Sequence, residues 1–314
     1  MTTLDQGMVP LWTVSFTQRL ELKLQQMGSK LRGKVDEYTG YVGKLVSPMN
    51  QVGAVKSRAP IGRFAPKAAV VQDYTRRWLT PQDRVIEQFY DDLDQLRTIV
   101  DPKSKATENA AMEAGRDWDD CILAAATGTA QIGADTNSLV PETFDTSKFQ
   151  VVSNFKASAA TGLTVAKMIE VKRVLRHYEN DLENDPVTLV IGSQQESDLL
   201  NQMQITSKEY NKSVAENGVL VDGRVTRFVG MDVVVMERLP QTTLNSVRGA
   251  LAFVRSGLHL GIWKDVKTEV FRRPDLEANP WDVSSVYTYG ATRTQPGKVV
   301  QVLCADTTGA AINP

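Results

Sequence analysis

Apolar residues recur at helical spacing near the start of the chain. Phe16, Leu20, Leu24, Met27 and Leu31 form one stripe and predict an amphipathic helix over about 14–32. Arg19, Lys23 and Lys30 run beside it as a basic line, and Gly28 weakens its last turn. Thr80-Pro81-Gln82-Asp83 carries a helix-start signal: threonine as N-cap, proline at the first position, an acid in the first turn. That helix is expected to run to about 97. Beyond Asp101-Pro102 the pattern predicts a longer helix over 105–126, with Ala110, Ala114, Trp118, Cys121, Ile122 and Ala125 on one face.

From residue 163 the texture becomes α/β. A helix is predicted over 164–179, with Val165, Met168, Ile169, Leu175 and Tyr178 apolar. The run VTLVI (187–191) reads as a buried strand, and Ser193 with Glu196 as a capping box for a helix to about 203. Further strands are expected at 224–229, 231–237 and 250–255, and longer ones at 266–272 and 282–294. The segment YGATRTQPGKVVQVLC (289–304) predicts a closing hairpin, with Pro296-Gly297 at the centre of a type II turn.

Two stretches follow neither period. Residues 128–162 read as a loop rich in glycine, threonine and serine with one strand at 149–153. Residues 40–78 are punctuated by Gly40, Gly43, Pro48, Gly53, Pro60, Gly62 and Pro66, and are too long for an ordinary connection. From 50 to 78, Lys56, Arg58, Arg63, Lys67, Arg76 and Arg77 face a single acid, Asp73. This is either a disordered basic linker or an extended hairpin ordered against another subunit.

Composition narrows the function classes. The 314 residues are 42% hydrophobic and 23% charged, which suits a globular protein with a substantial core. A formal charge of −1 excludes binding of nucleic acid by the chain's overall field, so any such affinity must be local. No signal peptide and no apolar run of membrane-spanning length is evident, so an intracellular, soluble protein with no membrane partner is expected. Cys121 and Cys304 lie far apart and read as small buried hydrophobes rather than a disulfide.

The search for chemistry returns nothing. Gly128 to Gly133 has the first spacing of a phosphate loop, but Ala134-Asp135 stands where lysine and a hydroxyl are needed. Asp91, Asp92, Asp94, Asp117, Asp119 and Asp120 read as solvated helix faces or subunit contacts rather than acid/base pairs. His177 and His259 are not clustered with other metal ligands, and His177 suits a helix C-terminus. No catalytic, cofactor-binding or metal-binding residue is assigned, no cofactor is expected, and the chain is not expected to be an enzyme.

The order of several segments resembles the major capsid proteins of tailed bacteriophages, the Hong Kong 97-type fold. These are QMGSKLRGKV, RRWLTPQDRVIEQFYDDLDQLRTIVDP, LTVAKMIEVKRVL, LLNQMQITSKEY, GRVTRFVGMDVVVMERLP and YGATRTQPGKVVQVLC. The resemblance implies an α+β fold in five parts. They are an N-terminal arm (1–48), an extended loop hairpin (49–78), a peripheral domain with a long spine helix (79–159), an axial domain (160–265), and returning peripheral strands with a C-terminal hairpin (266–314). It implies self-assembly of hexamers and pentamers into an icosahedral head around double-stranded DNA, held in part by non-specific basic contacts. Assembly would occur in the host cytoplasm and end in the virion, with scaffold, portal and decoration proteins as further partners. Lys56 and Lys67 lie where some relatives form a covalent crosslink. The alternatives are a nanocompartment shell of the same fold, an α/β enzyme with an unrecognised site, or a DNA-binding protein using 50–78.

Overall fold

A computed structural model describes residues 25–59, 69, 71–91, 102–135, 137–202, 220–221, 224–242, 247–277 and 279–306. Along the chain come β1 (Asp36–Thr39), β2 (Val46–Val52), β3 (Tyr74–Leu79), β4 (Gln82–Tyr90) and the helix α1 (Pro102–Thr127). Then follow β5 (Ala130–Ile132), β6 (Val140–Glu142), the single turn α2 (Thr146–Phe149), β7 (Gln150–Val151), α3 (Val165–His177), β8 (Val187–Ile191) and α4 (Ser193–Leu200). The rest is strand: β9 (Leu220–Val221), β10 (Arg224–Val225), β11 (Arg227–Phe228), β12 (Met231–Val235), β13 (Gln241–Thr242), β14 (Val247–Val254), β15 (Leu258–Arg272), β16 (Trp281–Arg293) and β17 (Val299–Ala305).

Among the described residues these strands make a seven-stranded sheet, two four-stranded sheets and the small β9–β10 ribbon. The largest runs β11-β12-β8-β14-β17-β7, with β13 on β14. Its central strand β8 is buried along its whole length, the expected fate of a continuous VTLVI run. Helix α3 packs Met168, Val171 and Leu175 onto it. The second sheet, β1-β15-β16-β4, is built on the long antiparallel pair β15–β16 and is crossed by α1. The third, β2-β3-β5-β6, sits at the root of the glycine- and proline-rich stretch. No described helix is long and apolar enough to cross a membrane.

Several expectations change. The expected helix over 14–32 falls partly on residues 1–24, outside the described set; its remainder is irregular and ends in one 3-10 turn, Arg32–Lys34. Gly28 adopts φ +74, which takes the backbone out of the helical region. The expected helix from Thr80 is instead the strand β4, which pairs with β16 from Tyr90↔Trp281 to Gln82↔Tyr289. A nine-residue ladder outweighs a local capping signal, and Pro81, lacking an N–H, precedes the first paired residue.

The stretch 128–162, expected as a loop, contains β5 and β6, and β5 takes three of the six residues of the Gly128–Gly133 phosphate-loop spacing. The capping box lies one residue early: Gly192 is the N-cap, and its N–H donates to Gln195 Oε1 at 3.0 Å. The closing hairpin is not a hairpin. Pro296–Lys298 is a 3-10 corner, and β16 and β17 belong to different sheets. Asn180 Nδ2 donates to the Gly297 carbonyl at 2.9 Å, while Thr294 N bonds the Gly257 carbonyl at 3.0 Å, so the corner is pinned by the turn after α3 and by the 3-10 corner Arg255–Gly257.

The junction of these layers is a buried cation. Arg293, fully buried at the end of β16, donates through Nη1 to the carbonyls of Ala126 (3.0 Å) and Gly128 (2.9 Å). Nη2 donates to the Glu142 carbonyl at 3.2 Å, and the guanidinium lies over the Phe144 ring. The first two acceptors cap the C-terminus of α1, where a positive charge meets the negative end of the helix dipole. Replacing Arg293 with Met should destabilise the unassembled subunit by about 3 kcal/mol, read as a lower denaturant midpoint at unchanged slope. Wild-type stability in that variant would remove the junction's importance.

Candidate assembly surfaces

The segment ahead of β1 is fixed to α1 by one carboxylate. Asp119, fully buried on α1, accepts from Ser29 Oγ (2.6 Å), Lys30 N (2.9 Å), Leu31 N (3.1 Å) and Gln26 Nε2 (2.5 Å). It supplies the acceptors that a continuing helix would have provided, which is why the helix is absent here. Arg116 adds bonds to Gln25 Oε1 and the Gln26 carbonyl. Gly115 permits the approach: a Cβ there would sit 2.5 Å from Ser29 N. Leu31 is then driven into the core beside Ile122, Leu251 and Phe253. Asp119 is therefore not on a solvated face, as its spacing suggested. The neighbouring carboxylates also have partners: Asp117 accepts from Tyr287 Oη at 2.6 Å and Asp120 pairs with Arg238.

Next along the chain, β1 runs parallel to β15, and His259 clamps it. Its Nδ1 is 2.8 Å from Asp36 Oδ2 and its Nε2 is 2.9 Å from Tyr41 Oη. This Asp–His–Tyr row has the outline of a catalytic triad, yet burial and the Asp36 charge push the Tyr41 hydroxyl's pKa up, opposite to what a nucleophile needs. It serves as a strap at the root of the next segment. Among the described residues no three metal-ligating side chains cluster.

From that root, β2 and β3 pair antiparallel from Val46↔Leu79 to Val52↔Tyr74, and Gly53 N bonds the Asp73 carbonyl at 2.7 Å. Residues 53–59 continue past the ladder, exposed, with Lys56 and Arg58 among them. Two cations of the basic stretch stay at home. Arg77 is buried and paired with Glu142, and Arg76 Nη1 reaches the Ala134 carbonyl at 3.4 Å. Arg63 and Lys67 lie outside the described residues.

The outer strand β4 presents a complementary face. Asp83, Val85, Glu87 and Phe89 alternate outward, all exposed, while Ile86 turns toward Trp118 and Tyr287. Sheet order places β4 at an edge, so one side of its backbone has no partner strand among the described residues. Of the acids assigned to a helix here, Asp92, Asp94 and Asp101 lie outside the described residues.

Comparison with known proteins decides what these surfaces serve. Residues 10–306 match the family model for phage capsid protein. The chain belongs to the phage capsid protein family. It is a structural protein, a major capsid protein of the tailed-phage type that forms the head and resides in the virion capsid. The Hong Kong 97-like fold agrees with solved capsids at low identity. The cyanophage P-SCSP1u capsid superposes with a TM-score of 0.69 at 14% identity, covering 94% of each chain. The cyanophage Pam1 capsid gives 0.68 at 11%, covering 98% of each, and the Ralstonia phage GP4 capsid 0.66 at 10%, covering 96% of each. No curated protein sequence matches the chain.

Two tests follow from these contacts. Asp119→Ala should free residues 25–35 from α1, giving protease cleavage ahead of β1 and a stability loss of about 2–3 kcal/mol. Protection equal to wild type would contradict the anchoring. Burial pushes the Cys121 thiol up to about 11 and the Cys304 thiol up to about 12. Both should resist thiol reagents at pH 8 until the protein unfolds. Because the folded state disfavours both thiolates, stability should fall as pH rises from near 9 through those values.

Proposed function

We propose that copies of this chain pack as hexamers and pentamers into an icosahedral shell around double-stranded DNA, assembling in the host cytoplasm. The observation that carries this reading is a pair of unsatisfied surfaces on one subunit. One is the β2–β3 projection, which carries exposed Lys56 and Arg58 beyond its ladder; the other is the acid-and-apolar outer face of the edge strand β4. Residues 53–59 run on past the β2–β3 ladder and are exposed, so the two surfaces are suited to meet between neighbours. The division into arm (1–48), extended loop (49–78), peripheral domain (79–159), axial domain (160–265) and returning strands (266–314) is part of the same proposal. The α1–β15–β16 layer supports the peripheral assignment, and five strands of the seven-stranded sheet (β8 and β11–β14) fall within the axial span, which β7 and β17 join from outside it. DNA contact through Arg19, Lys23 and Lys30 belongs to it as well; of these Lys30 is described, and its Nζ donates to the Val235 carbonyl at 2.8 Å.

Expression of the full chain alone tests the reading. Electron microscopy and sedimentation should show capsomers, tubes or shells; a monomer at every concentration, unfolding in one sharp step, would overturn it. Charge should matter at the loop. Reversing Arg58 and Arg63 to glutamate should block particle formation while the subunit still folds, and wild-type assembly should weaken in salt. Each exposed pair is worth at most about 1 kcal/mol, but the contact repeats with every subunit.

A further inference from the structure

A cavity of about 330 Å³ opens at one end of the seven-stranded sheet, between α3, the start of β8 and the β11–β12 turn. Its rim carries Lys172, Arg176 and Arg227 against one lining carboxylate, Glu183. Its floor is apolar, formed by Leu175, Val187 and Met231. Arg176 and Arg227 are exposed, and Arg227 is held only loosely by Asp232 at 3.7 Å. A basic rim over an apolar floor selects a segment in which carboxylates and large apolar side chains alternate.

One wall of the cavity is strained. Val229 and Gly230 have φ +53 and +80, the pattern of a type I′ turn between β11 and β12. Asparagine is favoured at the first of these positions, and a β-branched residue there is a conformational outlier. Val229 is held by Lys172, whose Nζ donates to its carbonyl at 2.9 Å, and it lines the cavity. Strain of this kind persists where the side chain has a use.

We propose that this cavity binds residues 91–101 of a second copy of the chain, DDLDQLRTIVD. The proposal rests on the assembly reading above. That segment carries Asp91, Asp92, Asp94 and Asp101 against Arg97, a formal −3, with Leu93, Leu96, Ile99 and Val100 between them. It cannot fill its own subunit's cavity. Its roots are Tyr90, in register with Trp281 and through it with Arg272, and Pro102 at the start of α1. The cavity lies at the other end of β15, where Val187 pairs with Val254 just before the corner to Leu258. Leu258 to Arg272 spans about 46 Å of strand. A loop of this length, tethered at both ends, reaches about 19 Å even when fully extended. The contact therefore forms between subunits.

A synthetic peptide of residues 91–101, labelled for fluorescence anisotropy, tests this against the full-length chain kept below the concentration at which particles form. Saturable binding is expected, weakening in salt and by about tenfold or more in the Arg176→Glu/Arg227→Glu variant, whose exposed substitutions leave folding intact. A peptide with Leu93, Leu96 and Ile99 changed to serine should lose binding. Val229→Asn should raise the melting temperature while lowering peptide affinity, the signature of a strained residue kept for contact. Absence of saturable binding, or binding indifferent to these changes, overturns the proposal. So does equal binding of a scrambled acidic peptide, which would mark a general anion site. Failure of the full chain to form particles would instead strike the assembly reading and leave this result to stand alone.

Discussion

The rest of the subunit depends on the buried guanidinium of Arg293. A charge removed from water is tolerated where hydrogen bonds compensate it, and here both Nη groups are met by the carbonyls of Ala126, Gly128 and Glu142, while Nε has no hydrogen-bond partner among the described residues. The geometry that satisfies the charge also fixes where the spine helix ends, where the small sheet begins, and where β16 turns toward β17. Burial disfavours the charged form and lowers its pKa, with Glu142 acting in the opposite direction. Glu142 in turn holds Arg77 on β3, so the root of the β2–β3 projection is tied to the same cluster. A planar five-donor cation does this; a lysine could not span the same acceptors. The seven-stranded sheet has its own version: Lys167, fully buried on α3, donates to the carbonyls of Thr161, Gly162 and Leu303.

Periodicity was a sufficient guide wherever an element buries one face against its own domain. Helices α1 and α3 and strand β8 follow directly from their apolar spacing. It failed where a distant partner outweighs local preference. Nothing in the sequence around Ser29 to Leu31 signals that a carboxylate some ninety positions later will take up their donors. The Thr80-Pro81 signal is a sound local helix start, overridden by pairing with a strand two hundred residues on. Pro296-Gly297 reads as a turn and is one, but a turn alone does not say whether the flanking strands pair. The buried roles of Arg293 and Lys167 were invisible for the same reason: their acceptors are backbone carbonyls, which leave no compositional trace.

The surfaces that serve assembly were legible only as anomalies. The stretch 40–78 was too long and too basic for a connection, and a hairpin ordered elsewhere was one of two ways to account for it. The acid-and-apolar alternation of Asp83, Val85, Glu87 and Phe89 was present in the sequence but was assigned the wrong period. On a strand it exposes two large apolar side chains beside two carboxylates, a face expensive to leave in water and poorly suited to an internal core. Val270, Phe271 and Leu276 extend this exposure toward the far end of the long strand pair. A clustering of large exposed apolar groups at one end of a subunit indicates a partner surface.

A shell subunit must fold before its neighbours arrive and yet keep part of its binding free energy in reserve. The structure separates the two needs in space. The Asp119 carboxylate and the Lys167 ammonium find their partners within the chain, as does most of the Arg293 guanidinium, so these regions can be rigid before assembly. The β2–β3 projection, the edge of β4 and the strained Val229 wall remain unsatisfied, and each lies at a border of a sheet or beyond its ladder. Because the end of α1 and the root of the β2–β3 projection meet at the Arg293–Glu142–Arg77 cluster, and β1 is held at His259, a contact on the projection acts on a stiff frame rather than on a loose loop. That stiffness lets weak contacts matter: a border worth little in one pair of subunits is repeated at fixed geometry, and little conformational entropy is lost at each repeat.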